Sequence, residues 1–550
     1  MKYWLLFVAL IGLFCAKVAQ AQSTNIPLGH SNYEDIHYLE TLSGNIPPKF
    51  FSGFQPLAEK QVVNAAEYWD STAQNLRSSN RQQIYYLYQC NNLWTDWGLL
   101  NSKKPFLKKL YVYKTDFFSL NTPEFNLRIN PQLNFQMYAQ ADAPDRLFLN
   151  SRGLEIKGNI AQKIGFYTSL SDNQARFPQY IRDYIQDNVA IPYEGRYAGF
   201  KGNGLDFFRA TGYINFALIP QITITMGQDK HFIGHGERSL LLSDIGNSYP
   251  FVKISTRVGN LQYINLYTQY TQQFTSLSDG LKSYKFSANH LLSWNISSKA
   301  NVSLFESIIF HRNGYDWAYL NPVIFYRFVE TQAGSPDNVL IGADMQFLLP
   351  YRFQVYGQLI FDEFNFAAIK ANNGDWRVKD GFQLGLRWAD ALGIDNTTWL
   401  VEYNQVRPYT YGHVYTYNNY THYNMPLAHP LGANFRELLS KIIYTPFKKW
   451  EITWTGVAAR YGKDGNDGDL YGQNIFAPTI FNERTGTYIG QGITTNLLYQ
   501  SLGVSWEWKH QTFVDAQFVW RRESNENEVI TDQFASIGFR MNLRKWNFVR

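Results

Sequence analysis

Residues 353–362 read FQVYGQLIFD. Phe353, Val355, Gly357, Leu359 and Phe361 alternate with Gln354, Tyr356, Gln358, Ile360 and Asp362. A period of two belongs to a strand, whose successive side chains leave opposite faces. One face here is apolar, and the other carries amides and a carboxylate where a soluble sandwich would pack a core. The pattern recurs. Leu133, Phe135, Met137 and Ala139 alternate with Asn134, Gln136, Tyr138 and Gln140. Val514, Ala516, Phe518 and Trp520 alternate with Asp515, Gln517, Val519 and Arg521, and Ile537, Phe539, Met541 and Leu543 with Ser536, Gly538, Arg540 and Asn542. Lipid outside and a polar lumen inside require this arrangement. A soluble antiparallel sheet also alternates, but the length of the strand run and an export signal favour a barrel.

The spacing of turns is a second test. Tight connections fall at 158–163, 219–221, 257–260, 297–301, 349–352, 390–397, 445–450 and 509–511. Long ones fall between them, near 172–204, 233–249, 272–283, 313–337, 364–376, 406–435, 461–491 and 522–531. Outer-membrane barrels alternate short periplasmic turns with long outer loops, and the count predicts about 18 antiparallel strands. Trp388, Trp399, Trp450, Trp506, Trp508, Trp520 and Trp546 are candidates for interfacial girdles. The last segment, Gly538 to Phe548, reads as an aromatic terminal strand.

The composition agrees. Tyr (38), Phe (40) and Trp (15) are abundant and favour strands. The start has another character. Lys2, an apolar run from Trp4 to Ala16, and Ala19-Gln20-Ala21 mark residues 1–21 as a signal peptide cleaved before Gln22. Cys15 is a poor lipoprotein site, because Phe14 precedes it where a small residue is expected. Losing Lys2 and Lys17 takes the formal charge from +5 to +3, which does not imply nucleic acid as a partner. Cys90 is then the sole cysteine, so an internal disulfide and a cysteine-based zinc site are excluded. Nothing after the leader is long and apolar enough to span a bilayer as a helix.

Residues 22–130 read as a helical preface, and 131–550 as the barrel. Ser31 to Glu34 has the form of a capping box, with Ile36, Leu39 and Leu42 following and Gly44 and Pro47-Pro48 as the stop. A second helix fits Pro56 to Leu76, with Val62, Ala66, Trp69, Ala73 and Leu76 on one face, and a third fits Arg81 to Trp94. Three such stripes bury either on one another, as a small bundle, or in the mouth of something larger.

Turn parity gathers the conspicuous segments at the long-loop rim. One is Glu402 to Glu437, EYNQVRPYTYGHVYTYNNYTHYNMPLAHPLGANFRE. Its connection is too long for a plain link and too aromatic for disorder. Others are 229–244, DKHFIGHGERSLLLSD; Asn313 to Pro322, continuing to Glu330 and Asp337; and Asp362-Glu363-Phe364. The motifs FIGHGERSLLLSD, YLNPVIFYRFVE with GSPDNVLIGAD, QLIFDEF, and EYNQVRPYTY with NYTHYNMPLAHPLGANFRE resemble the capsule-assembly outer-membrane family (Wzi-like). The resemblance is nearest to its Bacteroidetes branch, which includes gliding-motility-associated proteins of the RemB type, and runs from about residue 30 over most of the chain. It implies a barrel blocked by outer loops and by an N-terminal helical bundle, here a periplasmic plug. It also implies a lectin-like role in holding exported polysaccharide at the cell surface.

Site candidates come from residue chemistry instead. Arg238, Arg327 and Arg407 suit uronate or phosphate in a forked geometry, or else pair with Glu237, Asp244, Glu330 or Glu402. Tyr409, Tyr411 and Tyr420, with Tyr415, Tyr417 and Tyr423, either stack on sugar faces or pack the loop. His413, His422 and His429 either cluster with Arg407, though their spacing matches no ligand pattern, or play a structural part in the loop. His231 and His235 have a helical metal spacing, but Gly234 and Gly236 argue against a helix and for loop hydrogen bonds. Asp362 and Glu363 face opposite ways on a strand, against a paired-carboxylate hydrolase. With no nucleophile elbow, phosphate loop or Cys-His pair, no catalytic residue, cofactor or metal is expected. The leading expectation is an outer-membrane barrel that binds capsule or exopolysaccharide, with lipid and polysaccharide as partners. The alternatives are a porin-like channel, and an adhesion or motility accessory with outer-membrane protein partners.

Overall fold

The computed structural model describes residues 23–550 apart from 73–75, 96–100, 103–104, 108, 142, 144, 277–281, 324, 335–336, 363–365, 448, 466–467, 480–484, 547 and 549–550. The signal peptide expected at 1–21 and the carboxylate of Glu363 lie outside the described residues. Eighteen long strands close into one antiparallel barrel. They are β1 (Phe125–Gln140), β2 (Leu147–Ile160), β3 (Ile164–Arg176), β4 (Gly204–Ile219), β5 (Ile222–Asp229) and β6 (Tyr249–Val258). Then come β7 (Leu261–Ser276), β8 (Lys282–Ser297), β9 (Ala300–Phe310), β10 (Asn338–Leu349), β11 (Phe353–Asp362) and β12 (Lys379–Ala389). The last are β13 (Thr397–Val406), β14 (Phe435–Tyr444), β15 (Trp450–Lys463), β16 (Ile493–Lys509), β17 (Thr512–Ser524) and β18 (Val529–Met541). β18 closes on β1, from Met541 opposite Leu133 to Phe534 opposite Gln140. Closure pairs the backbone groups that an open edge would leave bare in lipid.

The stretch 353–362 behaves as its alternation predicts. Gln354, Tyr356, Gln358, Ile360 and Asp362 are buried in the lumen, and Leu359 on the other face is exposed. Trp388 stacks beside Trp399, and Trp450 beside Trp506, at the short-turn end of the wall. Several expectations need correction. β1 begins at Phe125, inside the segment 22–130 assigned to the preface. The long connections expected at 272–283 and 522–531 are short, because β7 continues to Ser276 and β17 to Ser524. The terminal strand stops at Met541, and the tail beyond it turns back into the barrel. Trp546 is therefore not in a girdle: it is buried against Phe177 and Phe207, with the Arg209 guanidinium over its ring.

Three helices fill the short-turn end: α1 (Asn32–Ser43), α2 (Glu59–Thr72) and α3 (Ser78–Cys90). Their apolar stripes meet one another at Ile36, Leu39, Val62, Ala66, Trp69, Ile84 and Leu87, with Ala389 of the wall in the same cluster. Their polar groups meet lumen-facing side chains. Glu59 pairs with Lys157 at 2.8 Å, Thr41 bonds Gln354, and the Asn295 amide donates to Phe50 O at 2.9 Å. Ser31 makes no side-chain cap at the start of α1: its own backbone is already helical, and Glu34, the expected reciprocal partner, meets Lys441 of the wall at 2.6 Å.

Candidate functional site

Residues 230–248, between β5 and β6, fold into the lumen instead of standing out from the rim. The wall satisfies their backbone groups one by one. The Gln358 amide donates to Ile233 O at 2.9 Å and its carbonyl accepts from Leu240 N at 2.8 Å. Glu402 accepts from the N–H groups of Glu237 and Arg238 at 2.8 and 3.1 Å, and from the Tyr356 hydroxyl at 2.9 Å. The chain passes so close that a Cβ on Gly236 would lie 2.2 Å from a Glu402 oxygen. From below, Phe54-Gln55 pairs with Phe232-Ile233, joining the plug to this inner loop. Burial at such depth is tolerable for a loop only when its polar backbone groups find partners.

Residues 407–434 form a lid over the inner loop. Tyr411 and Tyr420 stack 5.9 Å apart, and their hydroxyls donate to Leu240 O and Leu241 O at 2.7 and 2.8 Å. Tyr409 and Tyr411 take positive φ values of 68° and 69°, uncommon for residues with a Cβ. Tyr409 N bonds Gly472 O at 2.9 Å and Tyr411 N bonds the Asp362 carboxylate at 2.6 Å, which holds both in place. Ile475 and Phe476 of the connection after β15, and the helix α4 (Gln179–Asn188) with Tyr180, Ile181 and Ile185 buried, pack into the same end of the barrel.

The residues singled out from sequence fall in three different places. Arg238 lies in the lumen, forked onto Glu437 with two contacts of 3.2 Å. The His429 ring meets the same carboxylate at 2.9 Å. Glu437 cancels the buried guanidinium, and the pairing raises the Arg238 pKa further. His422 is buried. Its Nδ1 accepts from Thr271 N at 3.0 Å, and burial holds its pKa down at about 3. Arg407 is held by Val378 O and stands 3.7 Å from Asp380. Contrary to the expectation of a binding surface, Arg238, Tyr409, Tyr411, Tyr420, His422 and His429 lie within the packed lid and lumen. Tyr409, Tyr411, Tyr420 and His422 spend their polar tips on backbone groups, and Arg238 and His429 spend theirs on the Glu437 carboxylate. Arg327 is elsewhere again: it lies on the outer wall of the barrel and pairs with Glu330 at 3.0 Å. The segment 313–337, expected beside the lid, follows it there.

Of the tyrosines named from the sequence, Tyr415 and Tyr417 in the lid remain half-open. Tyr415 and Tyr417 stack at 5.3 Å and 10°. His413 adjoins Tyr415 at 5.7 Å and His311 adjoins Tyr417 at 5.1 Å, which makes a row of four rings. Tyr415 is 45 % exposed. His231 and His235 tie the inner loop to the wall, with the Tyr249 hydroxyl of β6 at 3.4 Å and Asp344 of β10 at 2.8 Å. Among the described residues no group of three His, Cys, Asp or Glu side chains is arranged for a metal.

A cavity of about 810 Å³ lies between α1, α3 and the wall from β12 to β18. Its lining mixes Glu34, Asp35, Glu237, Glu451 and Glu507 with Arg387, Lys441, Arg540, Arg544 and Lys545. Burial beside Glu451, Glu34 and Glu507 pushes the Asp35 carboxyl well up.

No protein-family model and no curated protein matches the sequence. Among solved structures the fold is similar to Wzi, described as an outer membrane protein involved in group 1 capsule assembly in Escherichia coli and as a carbohydrate binding beta-barrel. The TM-score is 0.60 at 15% identity, over 95% of this chain and 100% of that one. OprD from Pseudomonas aeruginosa aligns at a TM-score of 0.42 and 10% identity, over 76% of this chain and 94% of that one. At these identities the Wzi likeness establishes a shared fold, a Wzi-like barrel.

Proposed function

We propose that this chain is an outer-membrane barrel, closed to bulk transport, that holds exported polysaccharide at the cell surface. The observation that carries the reading is the stack of plug, inner loop and lid in the lumen, which leaves the top of the lid as the face a large ligand meets. Tyr415 and Tyr417 on that lid, backed by buried His413 and continued by His311 just past β9, combine apolar ring area with polar tips, the chemistry that suits sugar rings. The Wzi barrel, which shares the fold, is carbohydrate-binding, and the reading extends that property to this chain. Short turns face the periplasm and long loops face outward, as in barrels of this class. The chain reaches the membrane behind a cleaved leader at 1–21. It acts as a binding protein and not an enzyme. The nearer kinship, to the branch with RemB-type motility proteins, rests on the sequence motifs.

The test is titration of the purified barrel with extracted surface polysaccharide. Replacing both Tyr415 and Tyr417 by Ala should weaken binding about tenfold, on the order of 1.4 kcal/mol. Wild-type barrel that binds no surface polysaccharide, or that conducts as an open pore in planar bilayers, would overturn the reading.

A further inference from the structure

The connection between β9 and β10 breaks the rule for an outer loop. Alternate residues of β8 face the lumen: the Lys285 ammonium reaches Thr421 of the lid at 2.9 Å, and Asn295 reaches the plug. Residues 284, 286, 288, 290, 292 and 294 therefore face outward, as do their partners in β7 and β9. Leu292, Trp294 and Leu304 on this face are exposed, as a lipid-facing wall requires. Asn265, His290 and Glu306 share that face, yet His290 is only 7 % exposed and Glu306 only 6 %. What covers them is the connection itself, folded back down over the outside of the barrel.

The contacts are specific. Tyr326 lies on His290 with ring centroids 4.0 Å apart. Tyr315 donates to Ser287 O at 2.6 Å. Two outward tyrosines of β7 donate to the overlying chain, Tyr267 to Leu320 O at 3.0 Å and Tyr263 to Pro322 O at 2.7 Å. Tyr319 and Tyr326 are fully buried with Ile308, Phe310 and Val339 of the wall. The helix α5 (Tyr326–Ala333) starts above Glu306, whose carboxylate accepts from Arg327 N at 3.1 Å. The opposite side of the same segment is bare and mostly apolar: Trp317 is 86 % exposed, Val323 83 %, Phe325 66 % and Phe328 66 %, with Arg327 exposed among them and paired to Glu330.

We propose that this segment is a membrane-embedded apron, and that Trp317, Val323, Phe325 and Phe328 rest against lipid acyl chains. It lies on the face of the barrel already committed to lipid, bordered by exposed Leu304 and Ile341. Irregular backbone at that depth is excluded unless protein satisfies its polar groups. Here the wall does so. Tyr263 and Tyr267 supply hydroxyls to the carbonyls of the irregular stretch, and Glu306 supplies a carboxylate to the N–H groups at the helix start, where negative charge is favoured. A solvent-projecting loop would not need outward polar residues in the middle of a lipid-facing wall. The apron accounts for Asn265, His290 and Glu306, which a bare wall could not keep there. The inference requires only that the barrel crosses a bilayer, and stands or falls apart from the polysaccharide reading.

The experiment is site-specific fluorescence on the full chain in lipid vesicles. Phe328→Cys in a Cys90→Ser background is labelled with an environment-sensitive dye, and Val323→Cys is prepared in parallel in case the first fails to fold. Acyl-brominated lipid should quench the label severalfold more than aqueous iodide, with blue-shifted emission. The reverse order of quenching would place the segment in water and overturn the proposal. Insensitivity to both quenchers, with energy transfer between labelled copies, would show a second copy covering the face and would also overturn it.

Discussion

Glu437 is the residue on which the lumen network turns. It is buried, receives Arg238 and His429, and is linked through Asn404 to Glu402. Removing one partner of a buried pair leaves a charge without compensation and costs about 3–5 kcal/mol, whereas replacing both by apolar groups of similar size is often neutral. Arg238→Ala should therefore lower the unfolding temperature of the purified barrel, and the pair Arg238→Met with Glu437→Leu should recover most of the loss. Equal destabilisation by the single and double variants would show that the ion pair is not what matters. This partnership was not legible in the sequence. Arg238 and Glu437 are 199 positions apart, and the nearer acids Glu237 and Asp244 were the natural guess. The burial of Tyr411 and Tyr420 was hidden for a related reason. A tyrosine offers the same apolar face and polar tip to a sugar as to a buried carbonyl, so composition alone does not choose between them.

Strands and turns were legible because their signal is local. Alternation in 353–362 fixes which side chains enter the lumen, and turn parity fixes which end a loop occupies. Direction beyond the rim was not legible, since nothing local says whether a loop rises, dives inward like 230–248, or folds outside like 311–334. One clue was present: Glu306 interrupts the apolar set Leu304, Ile308 and Phe310 on its face, and marks the place the apron covers. The lid carries a prediction of its own. His422 is neutral when folded, with its pKa held at about 3 by burial, the Ser248 carbonyl opposing and Lys285 and Lys230 reinforcing. In the unfolded chain it titrates near 6.5. Its contribution to stability is complete above about pH 6.5 and is lost as pH falls toward about 3, because only the unfolded state takes up the proton in that window. Lys230, lowered to about 7 by burial and the nearby Arg544 guanidinium, acts in the same direction over a higher window. Protection of the amides at 420–427, taken relative to their intrinsic exchange rate at each pH, should thus fall on acidification from about pH 7 to about pH 5. His422→Asn should flatten that dependence. Equal protection at both pH values in the wild type would dismiss the histidine as the cause.

At the scale of the whole molecule, three obstructions lie in series along one axis. The plug meets the inner loop through Phe54 and Ile233, and the inner loop meets the lid through Leu427 O, which accepts from Ser243 N at 2.7 Å. The tail beyond β18 runs beside them, with Arg544 pairing to Glu194 and Trp546 packed on Phe177. Each layer is fastened to the wall independently: the plug by Lys157 and Lys441, the inner loop by Gln358 and Glu402, the lid by Asp362 and Lys285. Removing one should not release the next. Replacement of 408–433 by a short Gly-Ser link should therefore leave single-channel conductance at the level of the intact chain. Shortening the lid together with 231–247 should open a measurable pathway, because the cavity beside α1 and α3 then connects to the outer end. Conductance on shortening the lid alone would mean that the inner loop depends on the lid for its place, and that the layers act as one gate.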